Sequence, residues 1–266
     1  MRLGLIAGEG ELPALIAARQ TERPYVAALA GHPPDNLTPD LTFRLEHLGT
    51  ALGHMQAAGV TRLCLIGRVR RPEVSMDAVD AATAPLVPRL MAAMGQGDDG
   101  ALRGILAILE EAGFSIVGAH ETAADLLPPA GLLAGSLAPA DEADADRAAE
   151  IVEAMGRVDV GQACIVAAGQ ALAVEALPGT DHMLDTLASD RAGGTSLPAG
   201  GLLFKAPKPG QDLRADMPTV GPETLSRAAR AGLGGVVLAA GGVLLVEPER
   251  CAEIARDSGL FLWVRP

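Results

Sequence analysis

Aromatic residues are nearly absent: one Trp, one Tyr and four Phe, 2% of 266 residues. Such a chain offers no row of stacking platforms for single-stranded nucleic acid, and its core must be built from Ala, Val, Leu and Ile. Positive charge is also scarce. Twenty-one Lys and Arg face 33 Asp and Glu, a net charge of −12, which excludes a general basic surface for a phosphate backbone. No nucleic-acid partner is expected. Cysteine is limited to Cys64, Cys164 and Cys251. The odd number and wide spacing exclude a disulfide framework and zinc pairings, and predict buried free thiols in a reducing compartment. The five histidines show no metal spacing, and no GxSxG elbow is present. No apolar run reaches about 18 residues, so no membrane span is expected. The first apolar stretch stops at Gly8-Glu9-Gly10-Glu11. No secretory signal is therefore read, and a cytoplasmic location is expected.

Hydrophobic residues are plentiful, at 49% against 20% charged, enough for real cores. Residues 3–7, 24–30, 62–67 and 114–118 read as aliphatic strands. They alternate with helices at 12–20, 50–58 and from Asp98 to the Gly113 stop. The β-α-β order predicts a parallel, Rossmann-like α/β domain. Residues 127–146, LPPAGLLAGSLAPADEADAD, read as a linker rich in Pro, Ala and acid. The expected domains are therefore 1–135 and 142–266, the second mixed α/β. In that half, 163–167 and 172–176 read as strands around a turn. Residues 236–239 and 243–246 read as a second such pair joined by Gly241-Gly242. A strand is expected at 202–205, and helices at 180–189, 222–231 and 248–257.

Five places can carry chemistry. Gly8-Glu9-Gly10 follows a strand and precedes a helix, where backbone N–H groups can hold phosphate. It departs from GxGxxG because Pro13 stands where the third glycine would be, so it argues weakly for NAD. A plain tight turn is the other reading. Arg68, Arg70 and Arg71 follow another strand, where guanidinium forks suit phosphate oxygens; a solvated charge cluster explains them equally. Asp98 and Asp99 open a helix and read as caps or as hard-cation ligands. Near the middle of the chain, Gln162 precedes one strand, Glu175 ends its partner, and Gly179-Thr180 opens a helix. Most weight falls on Lys205 to Pro222, KAPKPGQDLRADMPTVGP. This proline-stiffened segment mixes Lys205, Lys208 and Arg214 with Asp212 and Asp216. That set supplies oxygen ligands for Mg²⁺, a base for water and cations for developing charge.

With these residues in view, the chain resembles the UDP-2,3-diacylglucosamine pyrophosphatases of the LpxI type. The resemblance lies in KAPKPGQDLRADMPTVGPETL, in DVGQACIVAAGQALAVEALPGTD, and in GLIAGEGELP, GRVRRP and GDDGALRGI. It covers essentially the whole chain, departing from the family pattern at Pro178 and His182. It implies two domains with the ligand between them and a homodimer. It implies Mg²⁺-dependent cleavage of UDP-2,3-diacylglucosamine to UMP and 2,3-diacylglucosamine 1-phosphate (lipid X), in lipid A biosynthesis, by water attack on the phosphate attached to the sugar. Under it, Asp216, Asp212, Arg214 and Lys205 are the catalytic residues, with Asp212, Asp216 and Glu175 around the metal. Gly8, Glu9, Gly10, Arg68, Arg70, Gln162, Gly179, Thr180, Lys208, Gln211 and Thr219 fall to the substrate. A lipid substrate implies transient contact with the inner-membrane surface. A non-catalytic nucleotide-sugar-binding module and a nicotinamide-dependent oxidoreductase are the alternatives.

Overall fold

The computed structural model describes residues 2–70 and 74–266; Arg71, and the side chains of Asp98 and Asp99, lie outside the described residues. The chain forms two compact units. The first is Met1–Ala124 with Asp212–Asp216, and the second is Asp125–Gln211 with Met217–Pro266.

The first unit contains β1 (Arg2–Ala7), α1 (Leu12–Ala18), β2 (Tyr25–Leu29), β3 (Leu41–Phe43), α2 (Leu48–Ala57) and β4 (Val60–Ile66). These are followed by α3 (Val87–Met94), α4 (Asp98–Glu111), β5 (Ser115–Ile116) and α5 (Ala119–Thr122). The five strands are parallel in the order β3-β2-β1-β4-β5, the arrangement of a Rossmann-like half. Helix α2 forms because Leu48, Ala51, Leu52 and Met55 recur at helical spacing and are all buried. It stops at Gly59, whose φ of +76° suits glycine just beyond a helix end. Leu52, Met55, Leu63, Leu106, Leu109 and Phe114 share one core.

The stretch that resumes at Val74 is anchored to this unit by Glu46. Its carboxylate accepts from Arg44 Nη2 at 2.7 Å and from the Ser75 amide at 3.0 Å. Those partners, Arg44 first, hold its carboxyl down at about 2 despite burial. A depressed folded-state pKa means the stabilisation is complete above the ordinary value near 4.5 and is lost as pH falls towards 2. Glu46→Gln is therefore expected to destabilise the protein at pH 7. Its difference from wild type should shrink steadily between about pH 4.5 and 2 in urea melts. An equal difference at pH 7 and at about pH 2.5 would sink this assignment.

The second unit begins inside the stretch expected to be a linker. Residues 127–146 carry β6 (Gly131–Ala134) and the start of α6 (Pro139–Arg157). The composition misled because the buried stripe of α6 is mostly alanine. Ala145, Ala148 and Val152 pack inward, while its acids lie mainly on the outer face. Asp144 is the exception. It is buried and accepts from the amides of Ala168 and Gly169 at 2.9 and 2.6 Å. Those residues form the turn between β7 (Ala163–Ala167) and β8 (Gln170–Val174). Both have positive φ, the geometry of a two-residue hairpin turn, and β7 and β8 pair antiparallel.

Then come α7 (Gly179–Ala192), β9 (Leu202–Lys205), β10 (Thr219–Val220), α8 (Pro222–Arg230) and β11 (Gly235–Ala239). Beyond them lie β12 (Leu244–Leu245), α9 (Pro248–Asp257) and β13 (Phe261–Arg265). The main sheet runs β6-β13-β11-β9-β7-β8 and is mixed. Its period-two alternation feeds two layers. Ile165, Leu203, Val236 and Leu238 pack with α7, α8 and α9, and Cys164, Val166, Leu202, Phe204 and Val237 with α6.

The expected hairpin at Gly241-Gly242 does not form. β11 is flanked by β9 and β13, parallel on both sides, while β12 pairs parallel with β10 in a separate sheet. A strand buried on both faces, with both edges filled, has no place for a hairpin partner. Gly242 serves a different end: a Cβ there would lie 2.6 Å from Pro207 Cδ, so its bareness lets the proline loop approach.

The three cysteines are buried and free, and burial pushes each thiol up to about 12. Among the described residues, no helix is long and apolar enough to cross a membrane.

Candidate active site

In the second unit, the carboxyl end of β9 delivers Lys205 into a buried polar cluster. Lys205, Thr180 and Glu175 are only 7, 7 and 8% exposed. Lys205 Nζ donates to Thr180 Oγ1 at 2.9 Å and to the Thr219 carbonyl at 3.2 Å. Thr180 Oγ1 donates to Glu175 Oε1 at 3.0 Å, and the Gln162 amide donates to Glu175 Oε2 at 3.2 Å. Three elements converge here: β9, the first turn of α7, and the residue just after β8. A buried ammonium needs polar partners and a countercharge, and this cluster supplies both. Gly179 opens α7 with φ of +88°, so Thr180 is held by a turn that glycine tolerates.

The loop after β9 is irregular but ordered. Lys208 Nζ pairs with Asp159 Oδ1 at 2.6 Å, the Lys208 amide donates to Gln211 Oε1 at 2.8 Å, and Gln211 Nε2 lies 3.5 Å from Gln162 Oε1. A Cβ on Gly156 would come within 2.5 Å of Pro209 Cδ, so the loop rests directly on the end of α6. Gln162, Gly179, Thr180, Lys205, Lys208, Gln211, Thr219 and Glu175 therefore all belong to the second unit.

After Gln211 the chain passes into the first unit for five residues. There the Ala215 and Asp216 amides donate to the Asp212 carbonyl at 3.0 and 3.2 Å, closing a single turn. Arg214 grips Asp212 with two nitrogens, Nε to Oδ1 at 2.9 Å and Nη2 to Oδ2 at 2.6 Å. Its Nη1 donates to Glu110 Oε1 on α4 at 2.8 Å. The Arg214 hydrogen bonds hold the Asp212 carboxyl below the usual carboxylate range, and both acids raise Arg214. Asp216 is exposed. Glu110 was not singled out in the sequence; its only signal is the helical spacing that places it at the end of α4.

The glycine turn is also in the first unit, but its leading amides are used internally. Gly8 N donates to Ile66 O and Glu9 N to Arg68 O, both at 2.8 Å, and Arg68 N returns a bond to Glu9 O at 2.9 Å. Glycine is required at both crossing points. A Cβ on Gly8 would lie 2.5 Å from Arg68 O, and one on Gly67 2.6 Å from Gly8 O. This lacing of the β1 and β4 loops engages the Gly8 and Glu9 amides internally. What remains is an open cavity of about 470 Å³ lined by Glu9, Gly10, Pro33, Asp35 and Arg68. Glu9 Oε1 is 2.8 Å from His32 Nδ1, a partner the sequence reading passed over. Arg68 and Arg70 are exposed.

Among the described residues, neither unit gathers three or more His, Cys, Asp or Glu side chains as a protein-only metal cage. Mg²⁺ typically takes one or two carboxylates and fills its other positions with water and substrate phosphate. Asp212 and Asp216 share one turn and supply two carboxylates of that kind, with both Asp212 oxygens also gripped by Arg214. Glu175 has both oxygens engaged within its own unit.

Residues 2–126 match the family described as the LpxI N-terminal domain, and residues 129–263 the LpxI C-terminal domain. The chain is 38% identical over 270 residues, spanning 98% of this chain and 96% of the relative, to a Caulobacter vibrioides protein named UDP-2,3-diacylglucosamine pyrophosphatase LpxI.

Proposed function

The chain belongs to the LpxI family, and on that premise we propose that it hydrolyses the pyrophosphate of UDP-2,3-diacylglucosamine in lipid A biosynthesis, with Mg²⁺, releasing UMP and lipid X. The near full-length match to a relative bearing that activity in its name carries the reading. The chemistry of the side chains supports it. A pyrophosphate in a protein of net charge −12 needs local cations. Lys205 supplies one, held in a buried polar cluster, and Arg68 and Arg70 supply others. Gln162, Lys208, Gln211 and Thr219 offer polar groups for orienting a nucleotide sugar, and Thr180 holds Lys205.

Asp212 and Asp216 would hold Mg²⁺, which would supply charge neutralisation to the phosphates. Arg214 fixes the orientation of Asp212 through two nitrogens. Asp216, exposed on the same turn, takes the proton from the attacking water. The water oxygen bonds to the phosphorus attached to the sugar, the bond from that phosphorus to the bridging oxygen breaks, and UMP leaves with the bridging oxygen. Lys205 is the cation assigned to the charge that develops as that bond breaks. A cytoplasmic homodimer drawing its substrate from the inner-membrane surface completes the proposal.

The test uses purified protein, UDP-2,3-diacylglucosamine and ¹⁸O-labelled water. UMP and lipid X should appear, EDTA should abolish turnover, and added Mg²⁺ should restore it. The label should enter the phosphate of lipid X. Full activity in EDTA would remove the metal from the reading. Label in UMP would move the attack to the other phosphorus.

A further inference from the structure

Glu175 does not behave as an open ligand. It follows β8, it is buried, and each of its oxygens accepts one hydrogen bond from a different neighbour. The Gln162 amide fixes one oxygen at 3.2 Å. A Cβ on Gly161 would sit 2.3 Å from the Glu175 carbonyl oxygen, so the 161–162 backbone lies directly against this residue and cannot be spaced away by a side chain. The other oxygen receives the Thr180 hydroxyl proton at 3.0 Å. A hydroxyl has one proton and two lone pairs. Once the proton is given to Glu175, the oxygen is left to accept, and Lys205 Nζ donates to it at 2.9 Å.

We propose that Glu175 is a positioning residue for the hydrolysis proposed above: anchored by the Gln162 amide, it orients the Thr180 hydroxyl so that Lys205 is held in one pose towards the pyrophosphate. Its charge balances the buried ammonium without touching it, through one intervening hydroxyl. Because the same carboxylate is fixed by the Gln162 backbone, the two segments that carry Gln162 and Thr180 are joined at a single buried point. The inference depends on the hydrolase reading and extends it to a residue that never meets the substrate.

The experiment is a double-mutant cycle on full-length protein, with kcat, KM and thermal midpoint measured for each variant. Glu175→Gln keeps the shape but removes the charge. It should lower kcat about 10–30-fold with KM within about threefold of wild type. Thr180→Val should lower kcat at least as much, and Thr180→Ser should restore it to within about threefold. The double variant Glu175→Gln/Thr180→Val should be no worse than Thr180→Val alone, to within about twofold, because residues acting through one another are not additive. Multiplicative losses in the double variant would overturn the inference. So would wild-type kcat in Glu175→Gln, or a loss explained wholly by a smaller folded fraction. If Glu175→Gln does not fold, unchanged kcat in Thr180→Val overturns it equally. A wild-type protein that releases no UMP would overturn the hydrolase reading, and this one with it.

Discussion

Lys205→Met is expected to lower kcat about 10²–10³-fold, the scale of removing one preorganised donor from a developing oxyanion. Methionine keeps the length and apolar stem of lysine and loses only the charged head, so packing in the β9 strand should survive. What is lost is specific. Nζ no longer donates to Thr180 Oγ1 or to the Thr219 carbonyl, and Glu175 is left as a buried carboxylate with no cation behind Thr180. Leaving buried polar groups without partners typically costs about 1–3 kcal/mol, so a lower thermal midpoint should accompany the kinetic defect. The two effects separate in a Lys205→Arg variant. It keeps the charge, but a planar fork replaces a compact ammonium, so stability should recover more than kcat. If Lys205→Met turns over substrate within about threefold of wild type, Lys205 is a structural cation and the charge stabilisation lies elsewhere.

Why some of this was legible in the sequence and some was not follows from particular residues. The first unit's β1, β2 and β4 were readable because short aliphatic runs end at Gly8, Gly31 and Gly67, and α2 and α4 because their apolar residues recur at helical spacing. Strand β3 was missed: three residues, Leu41–Phe43, carry too little periodicity to register. In the second unit, α7, α8 and α9 were found at nearly their true bounds, since proline or glycine marks each start. Helix α6 was not, because a stripe of alanines under an acidic face looks like a polar linker by composition. The Gly241-Gly242 error has another source. A hairpin signal reports only that the chain turns, whereas the pairing of β11 with β9 and β13 depends on contacts remote in sequence. The site divides in the same way. Lys205, Thr180, Glu175 and Gln162 each stand at an element end, where sequence reading looks for function. The Glu9–Arg68 lacing that engages the Glu9 amide could not be inferred, because it joins two loops about 60 residues apart.

Asp216→Ala is expected to fold as wild type and to lose at least about 10²-fold in kcat, the scale typical of removing a general base. The side chain is exposed, and surface substitutions usually stay within about 0.5 kcal/mol, so stability should barely register the change. The backbone bonds from Ala215 and Asp216 to the Asp212 carbonyl remain in that variant. Asp212→Ala should behave differently. Arg214 spends two nitrogens on Asp212 and one on Glu110, so removing Asp212 leaves the guanidinium held from one side only. That variant should need more Mg²⁺ for half-maximal activity and also melt earlier. Glu110→Gln would reproduce the structural part of that defect without touching the turn's acids. Comparison of the three variants therefore separates proton transfer and metal binding from the support of Arg214. Substrate should still bind Asp216→Ala, since the loss is placed on the chemical step, and isothermal titration with UDP-2,3-diacylglucosamine would read this directly. If Asp216→Ala keeps kcat within about threefold of wild type, water is activated by another group. A carboxylate that is merely exposed surface charge would give that result. One that takes the proton from water would lose turnover at every Mg²⁺ concentration, and added metal would not restore it.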